Sequence, residues 1–559
     1  MNLLEVRDLT VAFPPSSRKK KEEEALKGIV LDKISFDMKK GEVLGLVGES
    51  GSGKSMTSLA ITGLLPDAAV LAEGEIVFEA TDLLKISERE MRKKYRGKRI
   101  STIFQDAKGT FVPSKSVGPQ IAEMFQLHEG MKKKEAREKA LELLRQASIS
   151  DPEGSYDKII SEFSGGEAQR ASIAMMALAT KPDLLIADEA TTALDVTVQK
   201  RTLDYLMSVV CDKGISLLFI THDFGLIAEY TDRVVVLDKG KVVERGKTED
   251  VFADPRSTFL KNVLANIPRM DKPLRRKTSQ TEFSGTVFEV SNLSVSFSTE
   301  ESAGFFKKTI KTNHAVDDVS LNLNDGEILG IVGESGSGKT TLMRSVLNTL
   351  VDRAERNGEV SVFGKDVYSL SIKELMSVRR AITGVPQSSA QGLTPGKRVR
   401  DIVGEPLDIH NLYEAKTMRD RYNEKLDRVA DLLRTVELSS ERMHEVIGRF
   451  SGGEQQRVAI ASALATDPSV LFLDEPTASL DASRKNTVLE LLIRLHEERN
   501  LSLVIISHEL ATVASVCDRV IVMQNGKIVE EGSPEHVFGH PNHPYTQELV
   551  SSIPTPEIG

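Results

Sequence analysis

Two copies of one phosphate-binding pattern constrain this chain more than any other feature: GESGSGKS at residues 48–55 and GESGSGKT at residues 333–340. In the pattern GxxxxGK[ST], the loop amides surround phosphate oxygens and the following helix adds the positive end of its dipole. Each copy lies between an apolar, strand-like run and a segment with helical spacing. A glycine-rich turn without function would not repeat in this setting. The chain is therefore predicted to bind phosphates at two places.

Other motifs recur at nearly the same interval. FSGGEAQR begins at Phe163 and FSGGEQQR at Phe450, while LLIADEATTALD and VLFLDEPTASLD end at Asp195 and Asp481. The phosphate-loop lysines are 285 residues apart, and these two pairs are 287 and 286 residues apart. A constant interval of this length indicates a duplicated domain rather than a solenoid. We therefore predict one domain over residues 1–268, a polar and basic linker over 269–284, and a second domain over 285–559.

Apolar runs alternate with helical segments in each repeat, which indicates an α/β fold. The runs GEVLGLV, DLLIAD and SLLFITHD, with their counterparts GEILGIV, VLFLD and SLVIISHE, are continuously apolar, as in strands buried on both faces. Between Gln105 or Gln387 and the FSGGE motif each repeat is mainly helical, most clearly over residues 131–149. The prediction for each repeat is a mostly parallel sheet with an inserted helical subdomain.

Composition narrows the class of protein. The 559 residues are 40% apolar and 28% charged, which is typical of a soluble globular protein with more than one domain. The net charge of −9 disfavours a broad nucleic-acid-binding surface. No apolar run reaches the roughly 18–20 residues of a membrane span, so work at a membrane would need other chains. Two scattered cysteines, Cys211 and Cys517, favour reduced thiols in the cytosol over a disulfide framework.

Hydroxyl and charged side chains at the ends of the predicted strands suit phosphoryl transfer. The phosphate-loop lysine is expected to reach the outer phosphates, and the residue after it to bind Mg²⁺. Each DE pair offers one carboxylate to Mg²⁺ and a second that polarises an attacking water. These residues are Lys54, Ser55, Asp188 and Glu189 in the first repeat and Lys339, Thr340, Asp474 and Glu475 in the second.

Three weaker signals gain meaning from their repetition. A lone histidine after a strand is usually structural, and a lone glutamine is uninformative, but His222 and Gln105 have counterparts in His508 and Gln387. In FSGGE a serine and two glycines open a helix, where small residues let an anion approach the backbone amides. The alternative for this motif is a capped, buried helix with closely packed alanines. Each repeat is thus predicted to carry two anion sites.

The ordered set of GESGSGK[ST], glutamine, FSGGE, an apolar run ending in DE, LD and histidine resembles the nucleotide-binding domains of ABC transporters over nearly the whole chain, twice. The resemblance implies two tandem ABC-type P-loop domains that pair head to tail. ATP and Mg²⁺ would then lie between the phosphate loop of one domain and the signature serine of the other. It also implies that Asp195 and Asp481 lie at the seam and that Phe13 and Phe297 stack on adenine.

The residues carried over from the resemblance form two sites. The catalytic residues would be Glu189, Glu475, His222, His508, Gln105 and Gln387, and the metal ligands Ser55, Gln105, Asp188, Thr340, Gln387 and Asp474. The loop of site one is Gly48, Glu49, Ser50, Gly51, Ser52, Gly53, Lys54 and Ser55, completed by Ser451, Gly452 and Gly453. The loop of site two is Gly333, Glu334, Ser335, Gly336, Ser337, Gly338, Lys339 and Thr340, completed by Ser164, Gly165 and Gly166.

The flanking sequence, and most specifically the closing HPNHPYTQELVSSIP, is similar to the ATPases of peptide and nickel importers. This implies an ATP-hydrolysing importer subunit for peptides or a related small solute, peripheral on the cytoplasmic face of the plasma (inner) membrane. Its partners would be two transmembrane permeases, docked at residues 116–129 and 397–410, and through them an extracytoplasmic substrate-binding protein. No cysteines stand near the tail, so no iron–sulfur cluster is expected. The glutamine loops QDAKGTFVP and QSSAQGLTP depart from the family pattern.

Two alternatives remain at this stage. A soluble tandem ABC ATPase acting on ribosomes or nucleic acid usually needs a long charged arm or a coiled-coil insert, which this sequence lacks. A non-hydrolysing scaffold is disfavoured because both Glu189 and Glu475 are present. Cell fractionation distinguishes the importer ATPase from the soluble ATPase. An importer ATPase is expected to co-purify with small hydrophobic permeases, and a ribosome factor with ribosomes.

Overall fold

The computed structural model describes residues 2–14, 28–191, 194–270, 273–275, 283, 285–302, 308–350, 354–387, 393–478 and 480–554. The chain divides into two compact units. The first comprises Met1–Ala265 with Pro554–Gly559, and the second comprises Asn266–Ile553. Much of the predicted linker, 269–284, lies outside the described residues, and the domain boundaries stay predictions.

The first unit contains two sheets. One is antiparallel, with the order β2-β1-β4-β5. The other has six strands in the order β10-β9-β3-β8-β7-β6, parallel except for β10, which runs antiparallel to β9. The strands are β1 Asn2–Ala12, β2 Ile29–Lys39, β3 Val43–Val47, β4 Val70–Phe78, β5 Thr81–Asp82, β6 Ile100–Ile103, β7 Leu184–Asp188, β8 Ser216–Thr221, β9 Arg233–Asp238 and β10 Lys241–Lys247.

Helices flank the six-stranded sheet and form a lobe between β6 and β7. The predicted helix at 131–149 is confirmed as Lys133–Gln146, which buries an apolar stripe that includes Ala136, Ala140 and Leu144. The α-helices are Lys54–Thr62, Glu88–Glu90, Val117–Glu129, Lys133–Gln146, Pro152–Tyr156, Gly165–Ile173, Val196–Lys213, Phe224–Tyr230, Thr248–Ala253 and Thr258–Asn266, with π-helical segments Met91–Tyr95 and Ala174–Ala179 and 3₁₀ turns Lys108–Thr110 and Ile160–Glu162.

The second unit repeats both sheets. Their orders are β12-β11-β14-β15 and β20-β19-β13-β18-β17-β16. The six-stranded sheet is again parallel except for its edge strand β20, which runs antiparallel to β19. The strands are β11 Thr286–Ser302, β12 Lys308–Asn324, β13 Ile328–Val332, β14 Ala354–Val362, β15 Lys365–Asp366, β16 Ile382–Val385, β17 Val470–Asp474, β18 Ser502–Ser507, β19 Arg519–Gln524 and β20 Lys527–Gly532. The α-helices are Lys339–Val346, Ile372–Ala381, Val399–Ile409, Met418–Thr435, Gly452–Leu464, Ala482–Arg499, Leu510–Val516, Pro534–Gly539 and Pro544–Ser551, with 3₁₀ turns Ser440–His444 and Ile447–Arg449.

The predicted strands of the parallel sheets are confirmed, and their burial explains their sequences. Every residue of β7, β8, β13, β17 and β18 is buried, because helices cover both faces of a parallel sheet. The order β3-β8-β7-β6 aligns four carboxyl ends along one sheet edge, where ligands bind in α/β folds. The phosphate loop, His222, the DE pair and Gln105 follow these four ends.

Within the described residues, no helix is both long enough and apolar enough to traverse a bilayer.

Candidate nucleotide sites

The first phosphate loop connects β3 to the helix Lys54–Thr62. Gly51 and Gly53 have φ values of 83° and 105°, and a Cβ on Gly53 would approach Leu31 to 2.4 Å. Glycine is therefore required where the loop turns into the helix. The Lys54 side chain is only 4% exposed, and its Nζ donates to the carbonyl oxygens of Gly48 at 2.7 Å and Glu49 at 3.1 Å. The loop thus holds a buried ammonium beside the helix N-terminus, an arrangement suited to phosphate.

A hydroxyl and a carboxylate meet beside this loop. Asp188 ends β7, and Ser55 Oγ donates to its Oδ1 at 3.3 Å. Burial raises the pKa of Asp188 to about 6, and the hydrogen bond from Ser55 opposes the rise only in part. A bound cation would favour the ionised form of such a carboxylate. Oxygen ligands of this kind, one hydroxyl and one carboxylate, fit Mg²⁺.

Three side chains converge on Glu189. Gln105 Nε2 donates to Glu189 Oε2 at 3.0 Å, His222 Nδ1 lies 3.2 Å from Oε1, and Lys54 Nζ lies 3.9 Å from Oε1. The hydrogen bond with His222 lowers the pKa of Glu189, with burial acting in the opposite direction. The carboxylate is therefore ionised at neutral pH and able to accept a hydrogen bond from water.

The backbone of this glutamate is strained. Glu189 has a φ of 49°, and its N–H donates to the carbonyl oxygen of Ile220 on β8 at 2.8 Å. Glu475 has a φ of 51° and makes the equivalent bond to Ile506 on β18. Non-glycine residues in the left-handed region are uncommon and cluster at functional sites. The same strained position in both units fixes where the carboxylate leaves the strand.

The second unit assembles the corresponding residues. Lys339 Nζ donates to the carbonyl oxygens of Gly333 and Glu334, both at 2.7 Å. Thr340 Oγ1 donates to Asp474 Oδ2 at 2.9 Å, and burial raises the pKa of Asp474.

Glu475 has the same neighbours as Glu189. His508 Nδ1 lies 3.0 Å from Glu475 Oε1, and Gln387 also hydrogen-bonds this carboxylate. Burial raises the pKa of Glu475, but the hydrogen bonds with His508 and Gln387, together with the charges of His508 and Lys339, leave the pKa below its ordinary value. Each unit therefore brings together all six of its predicted lysine, hydroxyl, carboxylate, glutamine and histidine positions.

The signature serines each precede the N-terminus of a helix. Ser164 precedes the helix Gly165–Ile173, and its hydroxyl donates to Glu167 Oε2 at 2.9 Å. Ser451 makes the same 2.9 Å bond to Glu454 before the helix Gly452–Leu464. Both serines are exposed, as are the first glycines, while Gly166 and Gly453 are buried. The capping accounts for the local sequence, and the predicted anion sites at these helix ends stay predictions.

The remaining predicted residues lie outside these clusters of hydrogen bonds. Phe13 is half-buried, and its N–H donates to the carbonyl oxygen of Gly28 at 2.8 Å. Phe297 is half-buried against the core of the second unit. Asp195 and Asp481 precede the helices that begin at Val196 and Ala482, and Asp481 accepts a hydrogen bond from the N–H of Arg484 at 3.1 Å. Their proposed roles at adenine and at the seam stay predictions.

One contact at the second loop was missed by the sequence analysis. The N–H of Glu334 donates to Tyr545 Oη at 2.9 Å, so a residue of the C-terminal tail touches the phosphate loop. The available signal was a difference between the repeats: PYTQ in the second corresponds to TFLK in the first, and Phe259 stands where Tyr545 stands.

Comparisons with known proteins show which proteins the chain resembles. The family model "ABC transporter" matches residues 31–192 and 316–478, and the model "Oligopeptide/dipeptide transporter, C-terminal region" matches residues 529–559. The chain is 38% identical to the peptidoglycan transport ATP-binding protein YejF of Agrobacterium fabrum, over 98% of this chain and 96% of that protein. It is 35% identical to the oligopeptide transport ATP-binding protein OppD of Mycobacterium bovis, over 99% of both chains. It is also 35% identical to the glutathione import ATP-binding protein GsiA of Shigella dysenteriae, over 100% of this chain and 90% of that protein.

Proposed function

The chain belongs to the ABC transporter family of ATPases, with two ABC domains and an oligopeptide-type C-terminal region, and from this premise we propose that it drives the uptake of peptides or a related small solute. The observation that carries the proposal is the presence, at one sheet edge of each unit, of a buried phosphate-loop lysine, a hydrogen-bonded hydroxyl–carboxylate pair and an ionised glutamate held by a histidine and a glutamine. Relatives that match it nearly end to end are named for oligopeptide, glutathione and peptidoglycan transport, which supports this class of solute.

Hydrolysis at each site rests on a positioned glutamate. Glu189 is ionised, and Gln105 and His222 fix both of its oxygens. It would accept a proton from, or orient, a water attacking the outermost phosphate. Lys54, released from the loop carbonyls, would neutralise charge on that phosphate. The second unit has the same types of residue, which would act in the same way: Glu475, Gln387, His508 and Lys339.

Mg²⁺ fits the hydroxyl–carboxylate pair of each unit. Ser55 and Asp188 would hold it in one unit and Thr340 and Asp474 in the other, with Gln105 and Gln387 as further oxygen ligands. When bound, the ion supplies charge neutralisation at the phosphates. Its support is the chemistry of the donors, together with the raised pKa of Asp188, which a cation would reverse.

Each ATP would be shared between the two repeats. Site one would combine the loop of Lys54 with Ser451, Gly452 and Gly453, and site two the loop of Lys339 with Ser164, Gly165 and Gly166. Shifting the ratio of closed to open domain pairs from 1:99 to 99:1 takes about 5.5 kcal/mol of binding free energy, or roughly 2.7 kcal/mol for each of two ATP molecules. A charge-assisted hydrogen bond contributes about 1.5–3 kcal/mol. Two such bonds from a signature serine and a glycine amide are therefore sufficient, and loss of the γ-phosphate would reopen the pair.

Two transmembrane permeases would be the partners on the cytoplasmic side of the membrane, with a substrate-binding protein beyond them. In the second unit an apolar cavity of about 550 Å³ lies beside the helix Val399–Ile409, within the predicted docking segment 397–410. Its lining includes Leu393, Pro406 and Ile409, and Ile409 is 61% exposed. An exposed apolar side chain beside an apolar cavity suits the insertion of a partner's helix.

Purification of the tagged chain from membranes of its own cell tests the proposal. We expect two hydrophobic membrane proteins to co-purify in stoichiometric amounts, and the assembly in proteoliposomes to hydrolyse ATP and to accumulate labelled peptide. The matched control is Glu189→Gln with Glu475→Gln, which keeps the size of both side chains and should co-purify equally without hydrolysis or uptake. Sedimentation of the chain with ribosomes, and no membrane partner, would contradict the importer assignment and favour the alternative.

A further inference from the structure

We propose that Tyr545 is a positioning residue of the second nucleotide site, where it braces the phosphate loop, and that the first site works without this brace. The inference rests on the proposed function, because it concerns how well each phosphate loop receives ATP. It makes two sites with the same catalytic residues unequal in their affinity for nucleotide.

A single peptide unit of the loop is held at both of its polar groups. The N–H of Glu334 donates to Tyr545 Oη at 2.9 Å, and the carbonyl oxygen of the same unit, from Gly333, accepts Lys339 Nζ at 2.7 Å. Gly333 has a φ of 149°, and a Cβ there would meet the carbonyl oxygen of Met523 at 2.2 Å. This peptide unit is thus enclosed by the β19 backbone, the lysine and the tyrosine.

The tyrosine hydroxyl is held by a rigid scaffold. Tyr545 is 5% exposed and lies in the first turn of the helix Pro544–Ser551. The Glu530 carboxylate of β20 accepts the N–H groups of Asn542 at 2.9 Å and His543 at 3.1 Å, and His543 Nδ1 accepts the N–H of Tyr545 at 3.2 Å. The position of the hydroxyl is therefore set by the HPNHPY segment, and not by a freely rotating side chain.

The first repeat contains the same scaffold without the hydroxyl. Glu244 accepts the N–H groups of Arg256 at 2.8 Å and Ser257 at 2.9 Å, as Glu530 does in the second repeat. At the position of Tyr545 the first repeat has Phe259, which has no oxygen to accept a loop amide. Gly48, the counterpart of Gly333, does not have a positive φ. The two repeats therefore share the carboxylate support and differ at the residue that carries the hydroxyl.

The brace matters most when ATP binds. Lys339 has to leave the carbonyl oxygen of Gly333 in order to reach the phosphates. Tyr545 then still fixes the N–H side of the same peptide unit, so the loop keeps its receptive shape and loses less entropy on binding. The net value of one neutral hydrogen bond corresponds to about a 2- to 10-fold change in an equilibrium constant. Removal of the hydroxyl should weaken nucleotide binding at the second site by this factor.

Site-specific titration of the full chain tests the proposal. Lys54→Ala weakens the first site so that the second is titrated first, and Lys339→Ala does the reverse. The probe is a fluorescent ribose-substituted ATP analogue with Mg²⁺. We expect Tyr545→Phe to raise the Kd about 2- to 10-fold in the Lys54→Ala chain and to leave it unchanged in the Lys339→Ala chain. In the chain with both phosphate-loop lysines intact, Tyr545→Phe should raise the steady-state KM for ATP and leave kcat within twofold. Because phenylalanine is the residue of the first repeat, the variant is expected to fold.

Ser551→Ala is the control, since it removes a hydroxyl of the same helix that bonds the carbonyl oxygen of Glu548 at 3.0 Å within the helix. It should leave the Kd of the second site unchanged. An unchanged or lowered Kd for Tyr545→Phe, equal weakening at both sites, or the same rise with Ser551→Ala would each overturn the proposal. Absence of binding in the Lys54→Ala chain that retains Tyr545 would instead count against the proposed ATP site itself.

Discussion

The proposed sharing of each nucleotide between the two repeats makes a testable prediction about which pairs of substitutions are compatible. Lys54→Ala removes the phosphate-binding ammonium of site one. Ser451→Arg replaces the signature serine of the same proposed site with a larger side chain. The chain with both changes keeps Lys339 and Ser164, and hence an intact site two. When Lys54→Ala is combined with Ser164→Arg instead, each proposed site loses one essential group.

The structure sets the size of the effect. Lys54 is buried and forms charged hydrogen bonds, each worth about 1.5–3 kcal/mol, so its loss should weaken phosphate binding by roughly 10- to 100-fold. Ser451 is exposed, so an arginine there loses the cap formed with Glu454, at about 0.5–2 kcal/mol, but need not clash, and its side chain would occupy the proposed position of the phosphate. We expect about one occluded nucleotide per chain for the same-site pair and close to none for the cross-site pair.

The number of occluded nucleotides per chain is measured by vanadate trapping. The chain with its membrane partners is incubated with labelled ATP, Mg²⁺ and vanadate and then passed rapidly through a gel-filtration column. The mirror pairs, Lys339→Ala with Ser164→Arg or with Ser451→Arg, are the controls and should show the same order. If each domain instead completes its own site, the order reverses, and the Lys54→Ala/Ser164→Arg chain retains the nucleotide. That reversal would refute the shared-site reasoning.

Three further outcomes are expected. Glu475→Gln should keep nucleotide binding within a few-fold but slow single-turnover hydrolysis at the second site by about 10²- to 10⁴-fold, because the proton acceptor is lost; unaltered hydrolysis would remove Glu475 from the mechanism. Arg519→Ala should lower the free energy of unfolding in urea by about 3–5 kcal/mol, because Glu327, 1% exposed, loses the guanidinium that bonds both of its oxygens; a loss below about 1 kcal/mol would speak against this. Burial raises the pKa of Glu530, but hydrogen bonds, chiefly from the N–H of Asn542, outweigh burial and hold the pKa below its ordinary value. The stabilisation is therefore present above the unfolded pKa of about 4.3 and is lost as pH falls through the lower folded value. Glu530→Gln should accordingly lower Tm at pH 7, by a difference that shrinks as the pH falls below about 4.3, and a difference that stays constant on acidification would contradict the assignment.

The repeats made much of this fold predictable, because duplication supplies two independent samples of each pattern. The strands around Val47, Asp188 and Thr221 are continuously apolar, so their sequence reports their burial directly. The clusters around Glu189 and Glu475 were also predictable, because their members lie at or just after the carboxyl ends of these strands. The pairing of β1 with β2 and β4 was not predicted, since register depends on partners distant in sequence.

Other features lack a local signal altogether. The first signature helix changes to π-helical geometry over Ala174–Ala179, whereas the second continues as an α-helix over Gly452–Leu464. Both segments are rich in alanine and apolar residues, so neither composition nor periodicity separates them. The first segment is followed by Thr180, whose hydroxyl hydrogen-bonds that of Ser101 on β6 at 3.0 Å, a contact between residues 79 positions apart that no local pattern reveals. Such tertiary contacts override local propensity.

The two sites thus agree in chemistry and differ in support. Lysine, hydroxyl, paired carboxylates, glutamine and histidine are present in both units with closely similar distances. The differences lie one layer away, in Tyr545 against Phe259 and in the geometry of the signature helices. Any inequality in turnover should therefore follow the supports and not the catalytic groups, and it should appear as a difference in nucleotide affinity before it appears in the rate of hydrolysis. A rate difference that survives equal occupancy of both sites would require a catalytic cause that these distances do not contain.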